Sequence, residues 1–244
     1  IVFTKCAGPD GGYGTGLKGF GSCDLFISRR IGERWGAPEN LGPPVNSRGW
    51  EAQPSMGSDG RTLYFTRGNG IGADIRNMDI MVTRMDADGR WSAPEKLGDG
   101  VNTPFQEESA QIHPDGRTLY FSSNGHPGMG GLDIYVSRLG SDGRWGKAEN
   151  LGYPINTSGE ENSLLVAANG RIALFASDRE GGFGDLDLYE LEVPEAARPT
   201  PVTYITGKVT DRVSGAPLEA DVELFDLTTG ALATAAYSDP KTGE

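Results

Sequence analysis

One pattern recurs along the chain at a nearly constant interval, and it restricts the fold more than any other feature. Asp24, Asp79, Asp133 and Asp187 each stand at the start of a short apolar run, separated by 55, 54 and 54 residues. Trp35, Trp91 and Trp145 follow the same rhythm, at separations of 56 and 54 residues. One unit reads E-A-Q-P-S-M-G-S-D-G-R-T-L-Y-F-T-R from Glu51, then M-D-I-M-V-T-R, R-W-S-A-P-E-K-L-G and V-N-T. The next starts at Glu108 with E-S-A-Q-I-H-P-D-G-R-T-L-Y-F-S-S and runs on to I-N-T; a third starts at Glu160. A unit repeated at this period is a supersecondary module that buries its apolar face only against a neighbour.

Each unit holds about four short strand candidates. Alternation in L-Y-F-T and D-I-M-V-T, with aromatic and β-branched residues, suits strands. Asp59-Gly60, Asp115-Gly116 and Asn169-Gly170 mark a tight turn between the first two. Four antiparallel strands per repeat of this length predict a β-propeller blade. The expected fold is therefore all-β: a partial propeller over residues 1–192 with two full blades and two partial ones. The first unit lacks an inner strand and the last an outer one; the chain opens at Ile1 on a strand and closes at Glu244 inside an unfinished domain, so both ends are read as cuts in a longer protein.

Composition agrees. The 37 glycines among 244 residues follow no G-x-y period, which excludes collagen and points to many tight turns. The net charge of -12 argues against nucleic acid, whose binding needs a basic surface. No run approaches the roughly 18 apolar residues of a spanning helix. Cys6 and Cys23 flank a glycine-rich loop and are either two free thiols or a disulfide; a bridge would imply an oxidising compartment.

The repeated residues read as structural. The aspartate carboxylates accept backbone N–H groups of a turn. The tryptophans pack against a neighbouring blade. Asn46, Asn102 and Asn156, in P-V-N-S, G-V-N-T and P-I-N-T, hold turns by bonding to backbone. Specificity is expected in the loops joining the two middle strands, residues 7–22, 68–77, 124–131 and 178–185, which differ in length and leave one face. Tyr13, Phe20, His126, Met129 and Phe183 in these loops, with the off-pattern Trp50, are the candidate partner contacts.

No H-E-x-x-H, G-x-S-x-G or P-loop occurs. The fourth loop, S-D-R-E-G-G-F-G-D-L-D, does not have the ligand spacing of an EF-hand. The expectation is a chain with no enzymatic activity, no metal and no cofactor.

Residues 193–202 hold three prolines and read as a linker. Beyond it, residues 203–244 alternate strand and turn, with strand candidates at 203–210, 220–226 and 232–238. The propeller unit E-x-x-P…D-G-R-x-L-Y-F-x-S…G-G-x-D-I-Y…R-W…L-G…I-N-T resembles the WD-like, TolB-type repeats of Bacteroidetes envelope proteins. The tail, G-K-V-T-D…G-A-P-L-x-A-x-V-x-L-x-D-x-x-T-G, resembles the carboxypeptidase regulatory-like domain, a transthyretin-like β-sandwich here truncated. The order of the two is similar to the middle of OmpA-family proteins, some of which serve type IX secretion. This resemblance implies a periplasmic, outer-membrane-associated adaptor that binds an envelope protein, and that reaches peptidoglycan only through a domain outside these residues. A glycan-binding module and, further off, a propeller hydrolase are the alternatives.

Overall fold

The computed structural model describes residues 1–8, 11–14, 16–32, 34–69, 76–203 and 205–244. The described chain is all-β apart from one 3-10 turn, and it divides into two compact units. One comprises Val2–Ile27 and Glu39–Val202; the other comprises Ile1, Ser28–Pro38 and Thr203–Glu244.

The larger unit is a run of propeller blades. In the first, β1 (Val2–Cys6) pairs antiparallel with β2 (Cys23–Ile27). The hairpin of β3 (Arg30–Ile31) and β4 (Arg34–Trp35) belongs to the smaller unit. Then β5 (Glu39–Asn40) pairs with the outer side of β2. The second blade is β6 (Trp50–Met56), β7 (Thr62–Asn69), β8 (Arg76–Arg84) and β9 (Glu95–Lys96). The third is β10 (Glu107–Ile112), β11 (Thr118–Ser123), β12 (Asp133–Arg138) and β13 (Glu149–Asn150). The fourth has three strands, β14 (Glu161–Val166), β15 (Ile172–Ser177) and β16 (Asp187–Glu192).

Strand faces explain why the blades stack. In β7 and β11, Tyr64 and Tyr120 point to one face, Phe65 and Phe121 to the other, and all four are buried. Tyr64, Ile80 and Val82 of the second blade pack on Ala110, Ile112, Phe121 and Tyr135 of the third. Tyr120, Ile134 and Val136 of the third pack on Leu164, Val166, Ala173 and Phe175 of the fourth. Each such side chain taken fully out of water stabilises by about 1.5–3 kcal/mol. The tryptophans do not all share one role. Trp91 packs on the core between the first two blades, and Trp145 meets the Tyr64 ring edge-on at 6.0 Å. Trp35, expected to pack in the same way, is 58% exposed.

Every inner strand carries the same irregularity. The β6–β7, β10–β11 and β14–β15 ladders each shift register at a bulge, between Ala52 and Ser55, Glu108 and Gln111, and Asn162 and Leu165. Gln53, Ser109 and Ser163 sit in these bulges at φ 52°, 53° and 58°. They also link blades: the Ser109 N–H donates to Gln53 Oε1 at 2.9 Å, and the Ser109 and Ser163 hydroxyls lie 3.4 Å apart.

The stretch 193–202 is not a linker. Val193 and Ala197 are buried in the core between blades three and four. The Tyr120 hydroxyl donates to the Ala197 carbonyl at 2.6 Å, Arg138 donates to the carbonyls of Ala196 and Arg198, and the Val202 N–H donates to Ala168 O. Proline richness reads as a linker because it removes backbone donors. Here Ala196, Ala197, Arg198 and Val202 find backbone partners on the blades, so the segment becomes a strap.

In the smaller unit, β17 (Asp221–Phe225) and β18 (Leu232–Tyr237) form one hairpin. Of the strand expected over 203–210, the described residues show a single bridge, Thr210 with Pro217. Most side chains of this hairpin are exposed, as expected of a sheet with only two strands.

Candidate interaction rim

The repeated aspartates organise the loop edge of the blades. Asp24 accepts the Phe20 N–H at 2.6 Å and the Gly21 N–H at 3.1 Å. Asp133 accepts the Met129 N–H at 2.5 Å, and Asp187 accepts the Phe183 N–H at 2.5 Å and the Gly184 N–H at 3.3 Å. Asp79 differs: Lys96 Nζ lies 2.6 Å from it, and the middle of its loop, residues 70–75, falls outside the described residues. The second loop named above therefore lies largely outside them as well.

The donor in each of these three turns is the residue four before the aspartate, and each carries a large apolar side chain. Phe20 and Met129 are half exposed, at 51% and 52%, and Phe183 is fully exposed. Close approach accounts for the flanking glycines except Gly184, where a Cβ would meet open space. A Cβ on Gly128 or Gly182 would lie 1.8 or 2.2 Å from a carboxylate oxygen of Asp133 or Asp187. A Cβ on Gly21 or Gly130 would lie 2.2 Å from the carbonyl oxygen of Gly49 or Gly159 in the next blade. The local pattern is thus G-Φ-G-x-x-D, where Φ is Phe20, Met129 or Phe183. In each turn a backbone N–H bonded to the aspartate holds an apolar side chain out towards solvent.

The other candidate contacts are structural. Tyr13 is buried, its ring 5.9 Å from that of Phe26, and its hydroxyl donates to Gly21 O at 2.6 Å. Burial foremost, with the nearby Asp24 carboxylate, pushes its pKa up to about 12. His126 packs against Phe121 and Tyr135, and its Nε2 lies 2.8 Å from Val101 O. Arg67 and Arg179 do the same work in their blades. They lie over Phe65 and over Phe175 and Tyr189, and donate to Val45 O and Ile155 O. Trp50 is half-buried within β6, paired with Gly68. Cys6 and Cys23 face each other across β1 and β2 and are joined in a disulfide.

The asparagines bracket the third strands. Asn46 Oδ1 accepts the Leu25 N–H, and its Nδ2 donates to Leu25 O, both at 2.9 Å. Asn102 and Asn156 bracket Ile80 and Ile134 at 2.8 and 2.9 Å. Five residues further on stands a buried glutamate, Glu51, Glu107 or Glu161. Each accepts the backbone N–H and the hydroxyl of Ser47, Thr103 or Thr157. Arg67 and Arg179 pair with Glu51 and Glu161, whereas Ser123 donates to Glu107. A unit start at Glu108 and Glu160 is therefore one residue out of register: Glu107 and Glu161 are the partners of Glu51. The constant Asn-to-Glu spacing of five carries that signal.

No protein-family profile and no curated protein matches the sequence. Among solved structures, TolB from Acinetobacter baumannii is 13% identical, with a TM-score of 0.41, over 97% of this chain and 66% of its own. A puromycin-hydrolyzing peptidase from Mycobacterium tuberculosis is 16% identical, with a TM-score of 0.47, over 87% of this chain and 37% of its own. A periplasmic gluconolactonase from Pseudomonas aeruginosa is 14% identical, with a TM-score of 0.43, over 95% of this chain and 66% of its own. The chain thus spans between about a third and two thirds of the length of these proteins. At such values the assignment of a propeller rests on the blades themselves. The expectation of a chain with no enzymatic activity is corrected: proteins named as a peptidase and a gluconolactonase stand among the similar structures. Fold by itself does not separate binders from enzymes.

Proposed function

We propose that the chain is a protein-binding module of the bacterial cell envelope, contacting its partner through the rim of Phe20, Met129 and Phe183. The observation that carries this is the threefold G-Φ-G-x-x-D turn, which holds a large apolar side chain in solvent on backbone bonded to the aspartate. Exposed apolar side chains cost solubility, and their repetition on a clamped edge suits recognition. The Cys6–Cys23 disulfide supports an oxidising compartment, in keeping with the periplasm. No described helix is long and apolar enough to cross a membrane. The glycan reading is weakened because Tyr13 and Trp50, its aromatic candidates, are buried and half-buried.

The test places a photo-crosslinking residue at position 183 and, as a control on the opposite blade edge, at Arg117, in envelopes producing the chain. One protein crosslinked from 183 and not from 117, and lost in the F20S/M129S/F183S variant at unchanged thermal stability, is the expected outcome. The same partner captured equally from both positions, or undiminished in the triple variant, overturns the rim as the contact surface.

A further inference from the structure

The fourth blade presents a vacant seat whose occupied form is seen three times in the same chain. In the first three blades the octapeptide E-N-L-G-P-P-V-N (39–46), E-K-L-G-D-G-V-N (95–102) or E-N-L-G-Y-P-I-N (149–156) lies along the third strand. Its leucine N–H, from Leu41, Leu97 or Leu151, donates to the carbonyl of Leu25, Ile80 or Ile134 at 3.0–3.1 Å. Its asparagine then brackets the same residue through both N–H and C=O. Its Leu and Val or Ile side chains join the core between blades. Leu25, Ile80 and Ile134 are accordingly buried completely.

Leu188 is the fourth of this set. It stands one residue after Asp187, as Ile134 follows Asp133, and it faces Ala176 across the ladder as Ile134 faces Ser122. Yet among the described residues no fourth strand pairs with β16, and Leu188 is 80% exposed. Leu174, at the place of Tyr120, is exposed beside it. Residues 189–244 contain no E-x-L-G segment, and the three copies within residues 1–188 are each engaged in their own blade.

We propose that the free edge of β16 is a docking site for an extended segment of the form E-[N/K]-L-G-x-x-[V/I]-N, which pairs with β16 and brackets Leu188 through its asparagine. The occupant follows from the seat itself: backbone pairing gives affinity, and the leucine, the valine or isoleucine and the asparagine give register. A bare hydrophobic strand lacks the asparagine and leaves the Leu188 peptide groups without that partner. The site lies on a strand edge and not on the rim, so the two readings stand or fall separately.

The test uses the 244-residue chain and a labelled peptide of residues 144–159, R-W-G-K-A-E-N-L-G-Y-P-I-N-T-S-G. Fluorescence anisotropy is expected to show saturable one-to-one binding, with slowed amide exchange at Leu188. Alanine in place of Asn156 of the peptide removes two hydrogen bonds to backbone and weakens binding at least about tenfold. L188D in the chain abolishes binding without moving its thermal midpoint, because the side chain is exposed in the free protein. The proposal is overturned by absence of saturable binding at millimolar peptide, or by binding indifferent to both changes. It is also overturned if the chain self-associates through this face, with L188D breaking the dimer and the peptide not competing; the occupant is then a second copy.

Discussion

The third and fourth blades are built from closely similar strands and bury them very differently. Every residue of β11 is buried, and all of β12 except Arg138. In β15 burial alternates, with Ile172 and Leu174 exposed, and β16 alternates between half-buried and exposed along its whole length. The backbone pairing is the same in both, Thr118 to Ser123 against Asp133 to Arg138 and Ile172 to Ser177 against Asp187 to Glu192. The inward faces also match: Phe121 stacks with Tyr135 at 5.8 Å, and Phe175 lies 5.7 Å from Tyr189. What differs is the other face. In the third blade it is closed by the octapeptide, by the fourth blade and by the strap at Ala197; in the fourth it meets none of these. A blade forms from its own sequence, but the free energy it draws from burial is set by its neighbour.

That comparison breaks most readily at the paired positions 134 and 188. Ile134→Ala should destabilise the protein by about 2–5 kcal/mol, the range for emptying a packed core site. Leu188→Ala should stay within about 0.5 kcal/mol, as for a surface change. Urea unfolding of both variants decides it, and equal costs would mean that the fourth-blade face is covered in solution. A smaller effect is expected at Asn156. Its replacement by Ala leaves the buried Ile134 N–H and C=O without their bracket and should cost about 1–3 kcal/mol, with faster amide exchange at Ile134 and none of that change at Leu188.

The smallest effect is one of pH. Tyr120 is buried under the strap, and burial, more than the opposing field of Arg138, raises its pKa. An unfolded tyrosine titrates near pH 10. Below that both states hold the proton, and the stability from the neutral hydroxyl is fully present. Above it the unfolded chain ionises first, so stability falls as pH rises towards the elevated folded value. Tyr120→Phe should flatten the alkaline fall in the urea midpoint. The fourth blade has Leu174 at that place and contributes nothing to the effect. A slope unchanged by the substitution would place the alkaline loss at other groups, Tyr13 among them.

Much of this architecture is legible in the residues. The constant spacing of Asp24, Asp79, Asp133 and Asp187 marks the third strand of every blade, and at Asp24, Asp133 and Asp187 it does so because the carboxylate meets a turn at one place on one scaffold. Asn46, Asn102 and Asn156 are legible as turn residues for the same reason, although their target, a peptide unit 21 or 22 residues earlier, is visible only in the fold. Of the loop residues, Phe20, Met129 and Phe183 are found on the exposed edge, while Tyr13 and His126 turn inwards onto aromatic pairs. Hydrophobicity alone does not separate these two outcomes. The glycine before each presenter and the aspartate four residues after it do, and that local pattern can be read without coordinates.

By itself the sequence determined the repeat, the strand alternation and the turn chemistry, since these depend on bonds within about 25 residues. Only the tertiary structure decided which copies are buried. Trp145 and Trp35 sit in nearly the same words, R-W-G-K-A-E-N-L-G and R-W-G-A-P-E-N-L-G, yet one packs on Tyr64 and the other is exposed. Ile134 and Leu188 follow the same aspartate and stand at opposite extremes of exposure. Burial belongs to a pair of surfaces, and a repeated sequence specifies only one surface of each pair.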